Sequence, residues 1–134
     1  MRPLKTTLFL LLVFNILSMS FVNPPRWEKL GERKVAFRVD KDEIVVTARE
    51  GRFTALKLLV RNADLNMHRF TVHFNNGQTQ NVEIRDRIPA GGESRIIDLD
   101  GKGRFIEKVV FWYDTQNDEN RRSTVELWGR HNAR

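Results

Sequence analysis

The sequence predicts an all-β protein: a single β-sandwich, jelly-roll-like, of about seven to nine mostly antiparallel strands. Turn signals rich in Gly, Pro, Asn and Asp recur roughly every 8–14 residues, which is the spacing of short strands. The segments between them alternate apolar and polar residues, and none after residue 20 has the 3.6-residue period of an amphipathic helix. At 134 residues, the chain has room for one domain with a substantial core.

The strongest strand signal lies at residues 104–114. Val109, Phe111 and Tyr113 fall on one pleat face, and Val110 and Trp112 fall on the other. A strand that is apolar on both faces is typical of the middle of a covered sheet. We expect this strand to form a hairpin with a strand at residues 95–99, through the glycine-containing turn at residues 100–103.

The other elements follow from the same alternation and turn chemistry. Asn76-Gly77, between alternating segments at 68–74 and 78–84, is the sharpest hairpin signal in the chain. Residues 27–31 are expected to form an exposed bend. Further strands are predicted at residues 34–39, 43–47, 53–61 and 123–128, with turns or loops at 40–42, 49–52, 62–66, 88–92 and 114–122.

Residues 1–20 predict a secretory signal peptide, followed by the β-sandwich domain at residues 21–134. Arg2 and Lys5 precede an apolar run, and Ser18 and Ser20 supply the small residues of a cleavage site. The alternative is an uncleaved anchor, but the fifteen residues at 8–22 fall short of the roughly 20 that a spanning helix needs. We therefore expect a periplasmic or extracellular protein with no membrane span after cleavage.

The composition narrows the compartment and the partners. The chain has no cysteine, so the exported domain stands without disulfides, which favours a bacterial periplasmic or surface protein. Without residues 1–20, 21 Lys and Arg remain against 17 Asp and Glu, a net charge of +4. The charges are interspersed rather than clustered, so we expect no nucleic-acid partner.

Several short segments together resemble a known family, the bacterial exported proteins called domain of unknown function 2541. The resemblance covers nearly the whole mature chain, supports export and the fold, and brings no catalytic residues to carry over. The segments are Trp27-Glu28-Lys29-Leu30-Gly31, Asp42-Glu43-Ile44, Arg49-Glu50-Gly51-Arg52-Phe53, Asn76-Gly77-Gln78, Ile88-Pro89-Ala90-Gly91-Gly92, Ile97-Asp98-Leu99 and Phe111-Trp112-Tyr113.

No metal or other cofactor is expected. His68 and His73 are five residues apart on one predicted strand, which places them on opposite faces. Asp98 and Asp100 followed by Gly101 resemble the start of a calcium loop, but Lys102 and Arg104 stand where further oxygen ligands should be. Turn chemistry explains this segment better.

An enzyme is the less favoured class of function, and no catalytic residue is assigned. The chain lacks a cysteine nucleophile and a Gly-x-Ser-x-Gly elbow. The alternative kept open is a hydrolase-like enzyme that uses Asp98 and Asp114 as a facing carboxylate pair.

The preferred hypothesis is a non-catalytic module that binds an envelope glycan, an anionic polymer or a protein partner. The candidate ligand-binding residues are Arg69, His73, Trp112 and Trp128. Thr71 shares the non-core side of its strand with Arg69 and His73, and Gln78, Gln80 and Asn81 surround the hairpin turn. The competing interpretation is that both tryptophans cover the core. Whether they share a surface, and the oligomeric state, stay open at this point.

Overall fold

The computed structural model describes residues 24–35, 40–46, 51–115 and 121–132, so the predicted signal peptide lies outside the described residues. The described chain contains strands and turns without a helix, and therefore no helix that could cross a membrane. Its strands are β1 (Trp27–Lys34), β2 (Asp40–Val45), β3 (Phe53–Arg61), β4 (Leu65–Phe74), β5 (Thr79–Ile88), β6 (Ile97–Asp98), β7 (Ile106–Asp114) and β8 (Thr124–His131).

The eight strands form two four-stranded antiparallel sheets. The first sheet has the order β1-β8-β3-β6, and the second has the order β2-β7-β4-β5. Along the chain, β1, β3, β6 and β8 belong to the first sheet, and β2, β4, β5 and β7 belong to the second. This order is that of an eight-stranded jelly roll. The predicted all-β sandwich is confirmed.

The core lies between the sheets, where inward residues of alternating strands meet. From the first sheet, Leu56, Leu58, Val60, Val125 and Leu127 are fully buried. From the second sheet, the fully or almost fully buried residues are Phe70, Val72, Val109, Phe111 and Tyr113. The alternation had placed Leu56, Leu58 and Val60 on one side of β3, and the inward residues of β4 and β8 on the buried side, as observed. In β7, which the pattern made apolar on both faces, the structure turns Val109, Phe111 and Tyr113 toward the core.

Two local predictions are confirmed. β7 is an interior strand of the second sheet, paired with β2 on one side and β4 on the other. The Asn76-Gly77 segment joins β4 and β5 as a hairpin. Gly77 has a φ of 88°, a left-handed conformation that glycine adopts without strain. The Asn76 side chain accepts a 3.0 Å hydrogen bond from the Gln78 amide.

The predicted hairpin between residues 95–99 and 104–114 is wrong. β6 is two residues long and pairs with β3 in the first sheet, whereas β7 pairs with β2 and β4 in the second sheet. The turn at residues 100–103 therefore crosses from one sheet to the other. The apolar pattern is the same in a hairpin and in a crossover, so local sequence could not distinguish them.

The bend predicted at residues 27–31 is a strand. β1 pairs with β8 across this segment, and its register shifts between Lys29 and Gly31, so that Leu30 is turned into the core. A Cβ on Gly31 would lie 2.6 Å from Cγ2 of Ile44. Gly31 therefore permits a close approach of β1 to β2 rather than a bend. Of the strand predicted at 34–39, Lys34 ends β1 and Val35 is buried, and the rest lies outside the described residues.

The turn predicted at residues 40–42 is the beginning of β2. Lys41 pairs with Trp112 and Asp42 pairs with Phe111. The Asp42 carboxylate accepts a 2.7 Å hydrogen bond from the Tyr113 hydroxyl and lies 3.2 Å from the Arg33 guanidinium. These partners satisfy a side chain that otherwise favours turns, and so an aspartate can stand inside the strand.

Candidate functional site

The outward side of the second sheet carries most of the predicted binding residues, and we call it the Trp112 face. Strand register places its residues in three rows across β2, β7, β4 and β5. The rows are Lys41, Trp112, Arg69 and Glu83; Glu43, Val110, Thr71 and Asn81; and Val45, Lys108, His73 and Thr79.

Arg69 and Trp112 form the centre of this face. The Arg69 guanidinium carbon lies 4.4 Å from the centroid of the Trp112 ring, and the Lys41 ammonium lies 5.7 Å from it. Such stacking is a cation–π contact. Within the described ranges, Arg69 has no carboxylate partner, because Glu83, opposite it on β5, is paired with Arg85 at 3.3 Å. The N–H groups of Arg69 are therefore open to a ligand.

The other rows of the Trp112 face are polar and lightly paired. The Thr71 hydroxyl donates to the Asn81 side-chain oxygen at 2.7 Å, and Lys108 lies 3.6 Å from Glu43. His73 is half-buried, and its ring forms no hydrogen bond or ion pair with the residues that the structure describes. Val45, at the edge, is one of the few large apolar side chains that are exposed.

The outward side of the first sheet, the Trp128 face, is arranged differently. Lys29, Lys57, Arg61 and Arg130 each lie against a carboxylate. The partners are Glu32 and Glu126 for Lys29 and Arg61, Glu93 for Lys57, and Asp98 for Arg130. Lys57 also stacks on Trp27, 4.5 Å from the ring centroid.

Glu126 is the hub of the Trp128 face. Its side chain is only 8% exposed, and it accepts a 2.9 Å hydrogen bond from Nε1 of Trp128. Burial acts to raise the pKa of Glu126. The Trp128 hydrogen bond and the charges of Lys29 and Arg61 outweigh burial and hold this pKa below its ordinary value. The carboxylate is therefore kept ionised by neighbours within the fold.

The four predicted site residues divide between the two faces. Arg69, His73 and Trp112 lie together on the Trp112 face, whereas Trp128 lies on the opposite side of the sandwich. Both tryptophans are half-buried under polar side chains on outer faces, so neither covers the core. Trp128 is engaged by Glu126, and Trp112 by cations.

Gln78 and Gln80, also predicted near the binding face, instead hold a loop. The Arg104 guanidinium stacks 3.8 Å from the Phe74 ring and donates to the Gln78 side chain at 2.7 Å and the Asp100 carbonyl at 2.9 Å. Gln80 donates to the Asp98 carbonyl and accepts from the Asp100 amide. These contacts fasten the crossover loop to the β4–β5 hairpin.

The structure does not bring Asp98 and Asp114 together. Asp98 is 85% exposed and lies beside Gln80, whose partner in β4 is Val72. Asp114 of β7 lies opposite Asn66 of β4. Six residues of strand separate these positions, which is about 20 Å. The geometry of a facing carboxylate pair is therefore absent at these two residues.

His68 and His73 do not lie on opposite faces, because β4 has a bulge. Its register to β7 shifts between Met67 and Arg69, and the residues around the shift, His68 and Arg69, are both exposed. Among the described residues, no group of three or more His, Asp or Glu could hold a metal ion. The Asp98–Gly101 segment lies in the crossover turn, and Gly101 has a φ of 95°.

Two residues near the Trp112 face, Lys41 and Arg85, were not identified from the sequence. Lys41 was assigned to a turn. Lys41, Glu43 and Val45 fall on the pleat face opposite to that of Ile44, and this alternation could have extended the predicted strand at 43–47 back to residue 41. Arg85 carries no sequence signal. Its φ of 46° lies in the left-handed region and depends on the bulge that it forms with its neighbours.

Fold and site define a jelly-roll sandwich with one outer face of paired charges and one outer face centred on cation–π contacts with Trp112. A family model described as domain of unknown function (DUF2541) matches residues 6–129. The chain belongs to this family, and the resemblance seen in the sequence is confirmed. A comparison with curated proteins finds no match.

Two solved structures are similar to this chain in fold. One is the SPBc2 prophage-derived protein YomS, with a TM-score of 0.46 and 15% identity, covering 81% of this chain and 96% of that chain. The other is Pseudomonas aeruginosa AlgX, with a TM-score of 0.47 and 13% identity, covering 80% of this chain. The present chain spans 27% of the AlgX chain.

Proposed function

We propose that the protein is an exported, non-catalytic binding module of the bacterial envelope, and that its Trp112 face binds a negatively charged envelope polymer. Export rests on the sequence of residues 1–20, which has the three parts of a signal peptide. The choice of ligand rests on the chemistry of the Trp112 face.

The observation that carries the proposal is the state of Arg69. Its guanidinium is stacked on Trp112 and has no carboxylate partner among the described residues, although it lies in the middle of a sheet. When an arginine stacks on an aromatic ring, the N–H donors of its planar guanidinium point outward past the edge of the ring. There they can bind carboxylate, sulfate or phosphate oxygens. The stacking on Trp112 also orients the Arg69 guanidinium before a ligand binds.

The surroundings of Arg69 favour an anionic ligand over a neutral sugar. Arg69 covers the Trp112 ring at 4.4 Å, so a sugar that stacked on that ring would have to displace the cation. Lys41, His73 and Lys108 add basic side chains along the same face, beside the carboxylates of Glu43 and Glu83. The mature net charge of +4 attracts a polyanion from solution.

The test is direct binding by the protein purified after export. Tryptophan fluorescence is followed while carboxymethyl dextran or dextran sulfate is added as a model polyanion, with neutral dextran in parallel. We expect a saturable change with the polyanions, weakened by added salt. Arg69→Ala is expected to weaken binding about tenfold, because one charge-assisted contact is lost.

Arg26→Ala is the matched control. Arg26 is exposed, and its removal lowers the net charge by the same amount away from the Trp112 face. If the two variants lose affinity equally, attraction is diffuse and the Trp112 face is not the site. Equal binding of neutral dextran would contradict the choice of an anionic ligand.

A further inference from the structure

A groove next to Arg69 is formed where two strand irregularities meet. His68 is an extra residue of β4 relative to β7, and the register of β4 to β5 shifts at the same point, where Ile84 and Arg85 stand opposite His68. The groove has an open volume of about 460 Å³ and is lined by Asn66, Met67, His68, Arg85, Asp86 and Arg87.

Asp114 fixes the histidine of this groove. Its carboxylate is 12% exposed and uses both oxygens: Asn66 Nδ2 donates to Oδ1 at 2.8 Å, and Nε2 of His68 donates to Oδ2 at 2.7 Å. The His68 ring is 50% exposed. Because Nε2 is engaged, Nδ1 is the ring nitrogen left for a ligand.

Arg85 is held in an unfavourable backbone conformation at the edge of the groove. Its φ of 46° lies in the left-handed region, where a side chain is strained and glycine is not. Its side chain is 81% exposed, and its ion pair is the 3.3 Å contact with Glu83, two residues away in sequence. Strained residues that persist without a packing role are found at functional sites more than elsewhere.

The groove carries charges of both signs. His68, Arg85 and Arg87 line it together with Asp86, and each of the three basic residues has a carboxylate partner, namely Asp114, Glu83 and Asp64. Arg87 is ion-paired with Asp64 at 2.9 Å. The amide of Ala90 and then Arg87 hold the pKa of Asp64 below its ordinary range, so this pair is ionised at neutral pH. The ion pair of Arg85 with Glu83 is longer and more exposed than that of Arg87 with Asp64, so Arg85 is the arginine more available to a ligand.

We propose that this groove is a subsite for a single anionic oxygen group, a carboxylate, sulfate or phosphate, at one end of the Trp112 face. The inference rests on the proposed function, because Arg69 directly follows His68 in β4 and would bind the next part of the same polymer. The Arg85 guanidinium is a donor, and His68 Nδ1 donates when the ring is protonated. Asp114 positions His68, and Asn66 positions Asp114.

The experiment follows the histidine ring signals by NMR while inorganic phosphate is added to the protein purified after export. We expect a saturable shift of the His68 ring signals, with His73 and His131 unchanged. Carboxymethyl dextran is expected to produce a shift at His68 as well. Parallel, non-saturating shifts of all three histidines would show general ionic effects and overturn the proposal.

Arg85→Gly separates a ligand role from a structural one. Glycine relieves the left-handed strain, so the melting temperature is expected to stay the same or rise, while phosphate binding at His68 weakens about tenfold. Asn62→Gly is the control, because Asn62, with a φ of 76°, undergoes the same backbone change away from the groove. Unchanged phosphate affinity in Arg85→Gly would overturn the proposal.

The outcomes distinguish this inference from the proposed function. If the polymer binds wild type and Arg85→Gly equally, the groove is not a subsite, while the Trp112 face still binds. If phosphate saturates His68 but no polyanion binds, the groove is an anion site and the polymer assignment is wrong.

Discussion

The two outer faces of the sandwich have similar compositions and different arrangements. Each centres on a tryptophan of an interior strand, Trp128 in β8 and Trp112 in β7, with basic residues beside it. On the Trp128 face, Lys29, Lys57, Arg61 and Arg130 are matched with carboxylates. On the Trp112 face, Arg69 is matched with an aromatic ring. Composition therefore does not distinguish the two faces, whereas the pairing of charges does.

The difference has an energetic meaning. A carboxylate that is nearly buried, like Glu126, is stable only because surrounding groups compensate the loss of water. Its partners are then committed to the fold. Arg69, by contrast, keeps hydrogen-bonding capacity that the described part of the chain does not use. The comparison predicts that substitutions on the Trp128 face act on stability, and substitutions on the Trp112 face act on binding.

The largest effect on stability is expected for Glu126→Ala. This change leaves Lys29, Arg61 and Nε1 of Trp128 without their shared partner, and it should lower the free energy of unfolding by about 1–3 kcal/mol. Urea unfolding measures this value. Glu43→Ala, which removes an exposed pair with Lys108, should cost about 1 kcal/mol or less. Equal losses in the two variants would contradict the contrast between the faces.

A smaller effect is expected from pH. The folded-state pKa of Glu126 is below that of the unfolded chain, so its stabilisation is complete above about 4.5, the ordinary glutamate value, and is lost as the pH falls through the folded-state pKa. The melting temperature should therefore drop on acidification below this value. In Glu126→Gln, which cannot titrate there, the drop should be shallower. An identical pH profile would exclude Glu126 as a source of acid sensitivity.

The smallest effect on stability is expected for Arg69→Ala. The residue loses its cation–π contact with Trp112, which at a partly exposed site contributes about 0.5–1 kcal/mol. Differential scanning calorimetry should therefore show a melting temperature close to that of the wild type. A loss as large as that of Glu126→Ala would make Arg69 a structural residue and remove the main support for the binding face.

Much of the fold was predictable because its signals are local. The alternation of Phe70, Val72 and Phe74, and of Val125 and Leu127, identifies inward residues without knowledge of their neighbours. Asn76-Gly77 specifies its hairpin because two residues with this backbone freedom match the twist of paired strands. The interior position of β7 followed from apolar residues on both pleat faces.

The candidate site was only partly predictable, because its features depend on pairing between distant strands. Arg69, His73 and Trp112 were identified as outward residues, but the opposite placement of Trp128 follows from which sheet β8 joins. The contact of His68 with Asp114 depends on the bulge in β4, which shifts the pleat by one residue. No local pattern encodes that shift.

By itself, the sequence of this protein determined the strand class, the inward faces of β3, β4, β5 and β8, and the β4–β5 hairpin, since each depends on neighbouring residues and backbone preference. Tertiary structure alone decided the crossing of residues 100–103 between sheets, the pairing of Glu126 and the open state of Arg69. These depend on which strands meet, and that choice is made by the packing of the whole core rather than by any one segment.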